Sequence, residues 1–260
     1  MKLTMYQIDA FASQVFSGNP AAVVPLETWL PDAVMQKIGM ENNLAETAFV
    51  VKKGDHYSIR WFTPLVEVDL CGHATLASAY VLFNHLGYQE REVMFESRSG
   101  PLRVAKAGDL YSLDFPTDTL TPVDSIEPFF CCFDQNPIEA WKGKTDFMLI
   151  FESEDQIRNL VPDMTAIGKI KARGIIATAK GTRHDFVSRF FAPQSGVPED
   201  PVTGSAHTTL IPYWSKKLEK TKLIAAQISK RNGELACELS GDRVKISGSA
   251  CTYLIGEIHI

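Results

Sequence analysis

The sequence predicts an α/β (α+β) protein built as two similar domains. Three observations carry this. The chain has 260 residues, which suits two domains of about 130 each. Strand-like runs alternate with helical ones along its whole length. A pattern of strand, acidic loop, Gly turn and apolar helix at 59–75 returns at 188–207.

The elements follow in order. "KLTMYQIDAFAS" alternates as a first strand, and "SGNPAAVV" joins a Gly–Asn–Pro turn to a second. Residues 31–41 predict a helix with Pro31 in its first turn and Val34, Met35 and Ile38 on one face. "LAETAFVVKK" and "HYSIRWFTP" predict two further strands, the latter stopped by Pro64. The run from "CGHAT" to Phe83 is apolar all round, the mark of a buried helix. Residues 93–116 predict two or three strands. The Pro-, Thr- and Asp-rich "FPTDTLTPVDSIEP" then marks the boundary between an N-terminal domain, 1–117, and a C-terminal domain, 118–249.

In the second half "TDFMLIF" reads as a strand. "SEDQ" offers a capping box, with Ser153 at the N-cap and Gln156 three positions on. It predicts a helix to about Arg173 that closes at Gly174. On that reading "KIKARG" (169–174) is a solvated helix end. "GIIATA", "DFVSRFFAP" and the alternating C-terminal stretch from Asp242 are further strands, and Pro212 interrupts the helix expected after "DPVTGSAH".

Composition excludes some functions. The formal net charge is -5 and the cations are dispersed, so no nucleic-acid footprint is present. No stretch approaches 18 apolar residues, which predicts no membrane span. Five cysteines, an odd number without a CxxC pair, point to a reduced, cytoplasmic protein without a zinc site.

The repeat carries the functional argument. Arg60, Phe62 and Pro64 match Arg189, Phe191 and Pro193; Gly72 and Ala74 match Gly204 and Ala206; Cys71 and His73 correspond to Thr203 and Ser205. Glycine at a helix start lets a ligand approach the backbone, and the unpaired first-turn N–H groups favour an anion. Two such turns facing one cleft between domains would hold a small acidic molecule.

Four stretches, "DAFASQVFSGNPAAVV", "NNLAETAFV", "FTPLVEVDLCGHATLASA" and "FFAPQSGVPEDPVTGSAH", together resemble the PhzF-like family, named after a phenazine biosynthesis isomerase. The resemblance implies a fold like that of diaminopimelate epimerase. Each domain would be a mostly antiparallel, barrel-like sheet around a central apolar helix, with a last strand near 250–260 returning to the first domain. It implies a homodimer that works without a metal or organic cofactor. It also implies an isomerase that moves a proton, and with it a double bond, on a small carboxylate substrate.

Under this resemblance Glu46 is the general acid/base, because a carboxylate shielded from water can take and return a proton. His73 and Asp200 assist catalysis, and Asn19, Gly72, Thr203, Gly204 and Ser205 bind substrate. Asn19 and Pro20 could equally form a structural turn, and Arg60 and Arg189 could be structural ion pairs. Diaminopimelate epimerase uses a cysteine at each Gly turn. Cys71 stands at the first, but the second reads Asp-Pro-Val-Thr-Gly, which argues against a symmetric two-thiol racemase. Two alternatives stay open: an epimerase or racemase acting through Glu46 or Cys71, and a non-catalytic binding protein on the same fold.

Overall fold

The computed structural model describes residues Met1–Ile260. The chain divides into two compact units, one of Met1–Asp114 with Ser247–Ile260 and the other of Phe115–Ile246.

The first unit opens with β1 (Lys2–Ala10), β2 (Asn19–Leu26), α1 (Asp32–Asn42), β3 (Glu46–Lys53), β4 (His56–Phe62) and β5 (Glu67–Val68). α2 (Gly72–His85), β6 (Glu92–Ser97), β7 (Gly100–Ala107) and β8 (Leu110–Pro116) follow. β2 runs antiparallel to β1 and parallel to β3; β4 is antiparallel to β3 and to the short β5, and parallel to β6. β7 continues antiparallel between β6 and β8.

The second unit repeats this plan. It contains β9 (Thr121–Pro122), β10 (Glu139–Lys142), β11 (Phe147–Ile150), α3 (Glu154–Asn159) and α4 (Met164–Ile167). Then come β12 (Ile175–Lys180), β13 (Phe186–Ala192), β14 (Val197–Asp200), α5 (Gly204–Leu218), β15 (Lys222–Gln227), β16 (Gly233–Ser240) and β17 (Arg243–Gly248). β11 is parallel to β12, β13 antiparallel to β12 and to β14, β13 parallel to β15, and β15 antiparallel to β16. Strand for strand this is the order β2–β3–β4–β5–β6–β7. Finally β18 (Ala250–His259) pairs antiparallel with β1 from Lys2↔His259 to Ala10↔Ala250.

Packing explains the two long helices. α2 touches β1, β2, β3, β7 and β18, and Ala74, Leu76, Ala77, Ala79, Val81 and Leu82 are all buried on it. A helix enclosed on every side must be apolar on every side. β3 is buried on both faces: Phe49 and Val51 join Met35 and Ile38 of α1 in one cluster, while Ala48 and Val50, which point the other way, are also buried. In the second unit Leu210, Ile211 and Trp214 of α5 are buried, and Trp214 stacks on Phe186 of β13 at 5.9 Å.

Two expectations need correction. The helix from Ser153 ends at Asn159, because Pro162 disfavours helical backbone at the residue before it; only the single turn Met164–Ile167 follows. The Ser153 cap itself is present, its Oγ accepting from the N–H of Gln156 at 3.2 Å. Gly174 is not a helix cap. It leads into β12 beside the Phe190 ring, and a Cβ there would meet Phe190 Cζ at 2.5 Å. Cys131 and Cys132 are consecutive turn residues, one exposed and one buried.

Pro212 lies inside α5 and cannot donate to the carbonyl of Thr208 one turn back. The N–H of Asp118 takes that carbonyl at 3.1 Å, and the Asp118 carboxylate accepts from Thr209 Oγ1 at 3.1 Å. The missing helical bond is thus replaced by one that fastens the start of this unit to its central helix.

Candidate active site

Each Gly turn is built by the same small device. In the first unit Arg60 of β4 grips Glu67 of β5 with Nε and Nη2, both at 2.7 Å. In the second, Arg189 of β13 grips Glu199 near the end of β14 at 2.7 and 3.0 Å. A planar guanidinium matches a carboxylate two-pronged and fixes the hairpin leading into the helix. Arg60 and Arg189 are therefore structural ion pairs, each backed by the ring of Phe62 or Phe191.

At the first turn, three chain segments place polar groups together. Gly18 has φ +63°, and a Cβ there would run into the Ala10 carbonyl; only glycine fits, and it delivers Asn19 to the start of β2 with no exposure. Asn43 closes α1 in the left-handed region, and the chain turns so that Glu46 opens β3, opposite Ala21 of β2. Gly72 and His73 open α2, whose N-cap, Cys71, makes no side-chain cap bond.

The side chains meet in a cluster. Asn19 Nδ2 lies 3.2 Å from His73 Nδ1, Cys71 Sγ lies 3.6 Å from the same nitrogen, and His73 Nε2 lies 3.2 Å from Glu46 Oε2. The His73 and Glu46 side chains are 5% and 15% exposed. Their facing atoms are buried, and neither completes a hydrogen bond of proper geometry with any group of the chain. Buried polar atoms left in that state are uncommon and call for a third participant.

Electrostatics sharpen the picture. Burial pushes the Cys71 thiol up to about 11, with the Glu46 charge adding to it. Burial works against an imidazolium at His73, while the charges of Cys71 and Glu46 draw its pKa well above the ordinary value. Near neutral pH the thiol keeps its proton, so the attraction then comes from Glu46.

Glu46, Cys71 and His73 also offer potential metal ligands within 4.8 Å of one another. Cys71 Sγ lies 3.6 Å from Nδ1 and Glu46 Oε2 lies 3.2 Å from Nε2.

The second turn is equipped differently. Thr203, the N-cap of α5, does not cap it. Its Oγ1 donates to Asp200 Oδ2 at 2.5 Å, its N–H donates to Gln227 Oε1 at 2.8 Å, and Gln227 Nε2 donates to the Asp200 carbonyl at 2.7 Å. Gly204 and Ser205 open the helix. Ser205 Oγ accepts from Arg173 Nη1 at 2.9 Å, and Arg173 is held two-pronged by the buried carboxylate of Asp146.

Arg173 is thus no solvated helix end. It is a fixed cation at the mouth of α5, stacked on Phe190. Sequence reasoning passed over Arg173, Asp146 and Gln227, which lie outside the repeated motif and are joined only by folding. Asp146, an acid beside an apolar strand, carried the one available signal.

Residues 8–256 match the family model described as phenazine biosynthesis-like protein, PhzC-PhzF. The chain belongs to the phenazine biosynthesis-like family. An uncharacterized isomerase of Pseudomonas aeruginosa is 48% identical over 260 residues, covering all of both chains. The crystal structure of a PhzF-family phenazine biosynthesis protein from Enterococcus faecalis matches with TM-score 0.98 and 47% identity, again over all of both chains. A hydroxyproline epimerase from Agrobacterium vitis has a TM-score of 0.64 at 10% identity, over 99% of this chain and 92% of that one; this is a likeness of fold. The diaminopimelate epimerase-like α+β architecture expected for a phenazine biosynthesis-like protein is therefore the one present. No helix is long and apolar enough to cross a membrane.

Proposed function

We propose that this protein is an isomerase that moves a proton between two carbons of a small unsaturated carboxylate, with Glu46 as the group that removes and returns it. One observation carries the reading. The Glu46 carboxylate and the His73 ring face each other at 3.2 Å with their buried polar atoms uncommitted, beside an uncapped helix start. A carboxylate in such a place is suited to exchange a proton with a bound carbon acid, and His73 to donate to the charge that develops.

In the same proposal Asp200, Thr203, Gly204 and Ser205 orient the substrate, and the Gly72 and Gly204 amides receive its anionic group. The isomerase names of the relatives support the reaction class. The thiol of Cys71, pushed up to about 11, is poorly suited to act as base, which disfavours the thiol racemase. The homodimer and the cytoplasmic location remain part of the proposal.

The test begins with a thermal-shift screen of small unsaturated carboxylates on the parent and on Glu46→Gln. Hits are then incubated in deuterated water. The reading expects the parent to shift a double bond with deuterium entering at the new carbon, and Glu46→Gln to bind the same compound without turning it over. Turnover by Glu46→Gln at the parental rate would overturn it.

A further inference from the structure

We propose that Arg173 is a positioning residue that acts through Ser205: it takes the serine oxygen as its acceptor and so turns the serine's hydrogen toward the anionic group of the substrate. The inference rests on the reading above that Ser205 orients the substrate, and it adds what orients Ser205.

Arg173 is fixed in backbone and side chain. Its N–H donates to the Thr145 carbonyl at 2.8 Å, and its own carbonyl accepts from Ser195 Oγ at 3.3 Å. The next carbonyl, that of Gly174, accepts from the N–H of Phe147 at 3.1 Å. The guanidinium lies over the Phe190 ring, 5.2 Å from its centre. Nε donates to Asp146 Oδ1 at 2.9 Å, and Nη2 donates to the other oxygen of that carboxylate. Asp146 is 2% exposed, and the only other group on its carboxylate is Thr145 Oγ1, at 3.2 Å. Burying a carboxylate costs much hydration, and an ion pair returns little net stability for it. What the pair secures is the place of the fork, whose remaining arm, Nη1, reaches Ser205 Oγ at 2.9 Å.

Net charge is not what the fork delivers. Asp146 balances the cation, and Asp200 and Asp118 add negative charge nearby. Ser205 receives direction instead. A guanidinium has N–H groups and no acceptor, so the Ser205 oxygen accepts and its own hydrogen points elsewhere. Serine and threonine in a helix often return that hydrogen to the carbonyl four residues back, as Thr75 and Ser78 do in α2. For Ser205 that carbonyl belongs to Pro201, and Ser229 Oγ donates to it at 2.9 Å. Ser205 is half-buried in the first turn of α5, and no group of the chain takes its hydrogen. It is an aimed donor, and an ionised carboxylate, which only accepts, is the group it suits.

The test measures binding of crotonate, sorbate and fumarate by isothermal titration calorimetry on the parent and on variants. For whichever binds the parent most tightly, Ser205→Ala should weaken affinity about tenfold, the loss of one hydrogen bond to a charged group. Arg173→Lys keeps the cation beside Asp146, but one ammonium cannot replace the two-armed fork, and it should weaken affinity by about as much. Ser205→Ala combined with Arg173→Lys should bind no more weakly than Ser205→Ala alone, because an arginine that acts through the serine then has nothing left to orient. Parental affinity in Arg173→Lys would overturn the inference. So would losses that multiply to about a hundredfold in the combined variant, the pattern of a separate or merely structural contribution. A parent that binds none of the three carboxylates also overturns it. Thermal melting checks that each variant is folded. If Arg173→Lys is not, Arg173→Met with Asp146→Asn removes the buried charge together with its partner and is read in the same way. The role of Glu46 is decided separately, by turnover of Glu46→Gln in deuterated water, so either reading can fail while the other stands.

Discussion

The two Gly turns share a scaffold and differ in equipment. Both are set by an arginine that grips a glutamate two-pronged on a short hairpin, Arg60 with Glu67 and Arg189 with Glu199. Both lead into a helix without a side-chain cap. Yet the first gathers facing atoms of Glu46 and His73 with no completed bond, whereas at the second Thr203, Asp200 and Gln227 bond one another, as do Ser205, Arg173 and Asp146. The frame is shared; under the proposed function the first copy exchanges protons and the second holds substrate.

The sharpest way to break this comparison is to mutate one acid in each copy. Glu46→Gln should lower kcat by about 10²- to 10⁴-fold, the range for loss of a general acid/base. Asp200→Asn should act mainly on KM, by about tenfold, since under the proposed function it orients substrate and contributes to binding in the ground state as well. Steady-state kinetics on both variants decides it; equal losses of kcat would erase the distinction.

The buried histidines sharpen it further. His207, in the first turn of α5, lies beside Phe186 and donates from Nδ1 to the Thr203 carbonyl. Burial lowers its pKa to about 4. The unfolded chain binds this proton first as pH falls below 6.5, so the stabilisation present above that value is lost progressively toward pH 4. The loss reaches about 3 kcal/mol. Urea unfolding of the parent at neutral and acid pH should show it, and His207→Gln should flatten the dependence.

The scaffold should respond unequally to mutation. Arg189→Met strands a largely buried glutamate and should cost about 2 kcal/mol in urea unfolding, whereas Arg60→Met leaves Glu67 paired with Arg98 at 2.8 Å and should cost less. Equal losses would mean that Arg98 does not support the first hairpin.

The smallest effect is chemical. Cys71, buried and pushed up to about 11, should resist alkylation near neutral pH, while exposed Cys131 reacts. Mass spectrometry of peptides after brief iodoacetamide treatment separates them.

The frame was legible in the sequence because its residue types are dictated locally. An arginine, an aromatic residue and a proline in fixed spacing before a Gly turn mark both copies, and an all-apolar helix needs a core around it. Glu46, His73 and Asn19 were legible only through the family resemblance; alone, each reads as an ordinary strand or turn residue. Arg173, Asp146 and Gln227 were not legible, because Ser205 meets Arg173 across 32 residues and Thr203 meets Gln227 across 24. The overlong helix from Ser153 was a failure to weigh Pro162 against a good cap.

The pairing of β18 with β1 carries a consequence for biosynthesis. β1 finds one of its two neighbours only after some 240 further residues have been made. The unit that holds Glu46 therefore stays incomplete throughout translation, with an open strand edge awaiting its mate, while the other unit can close earlier. Nascent chains arrested before residue 250 should consequently resist proteolysis in the later unit and be cleaved in the earlier one.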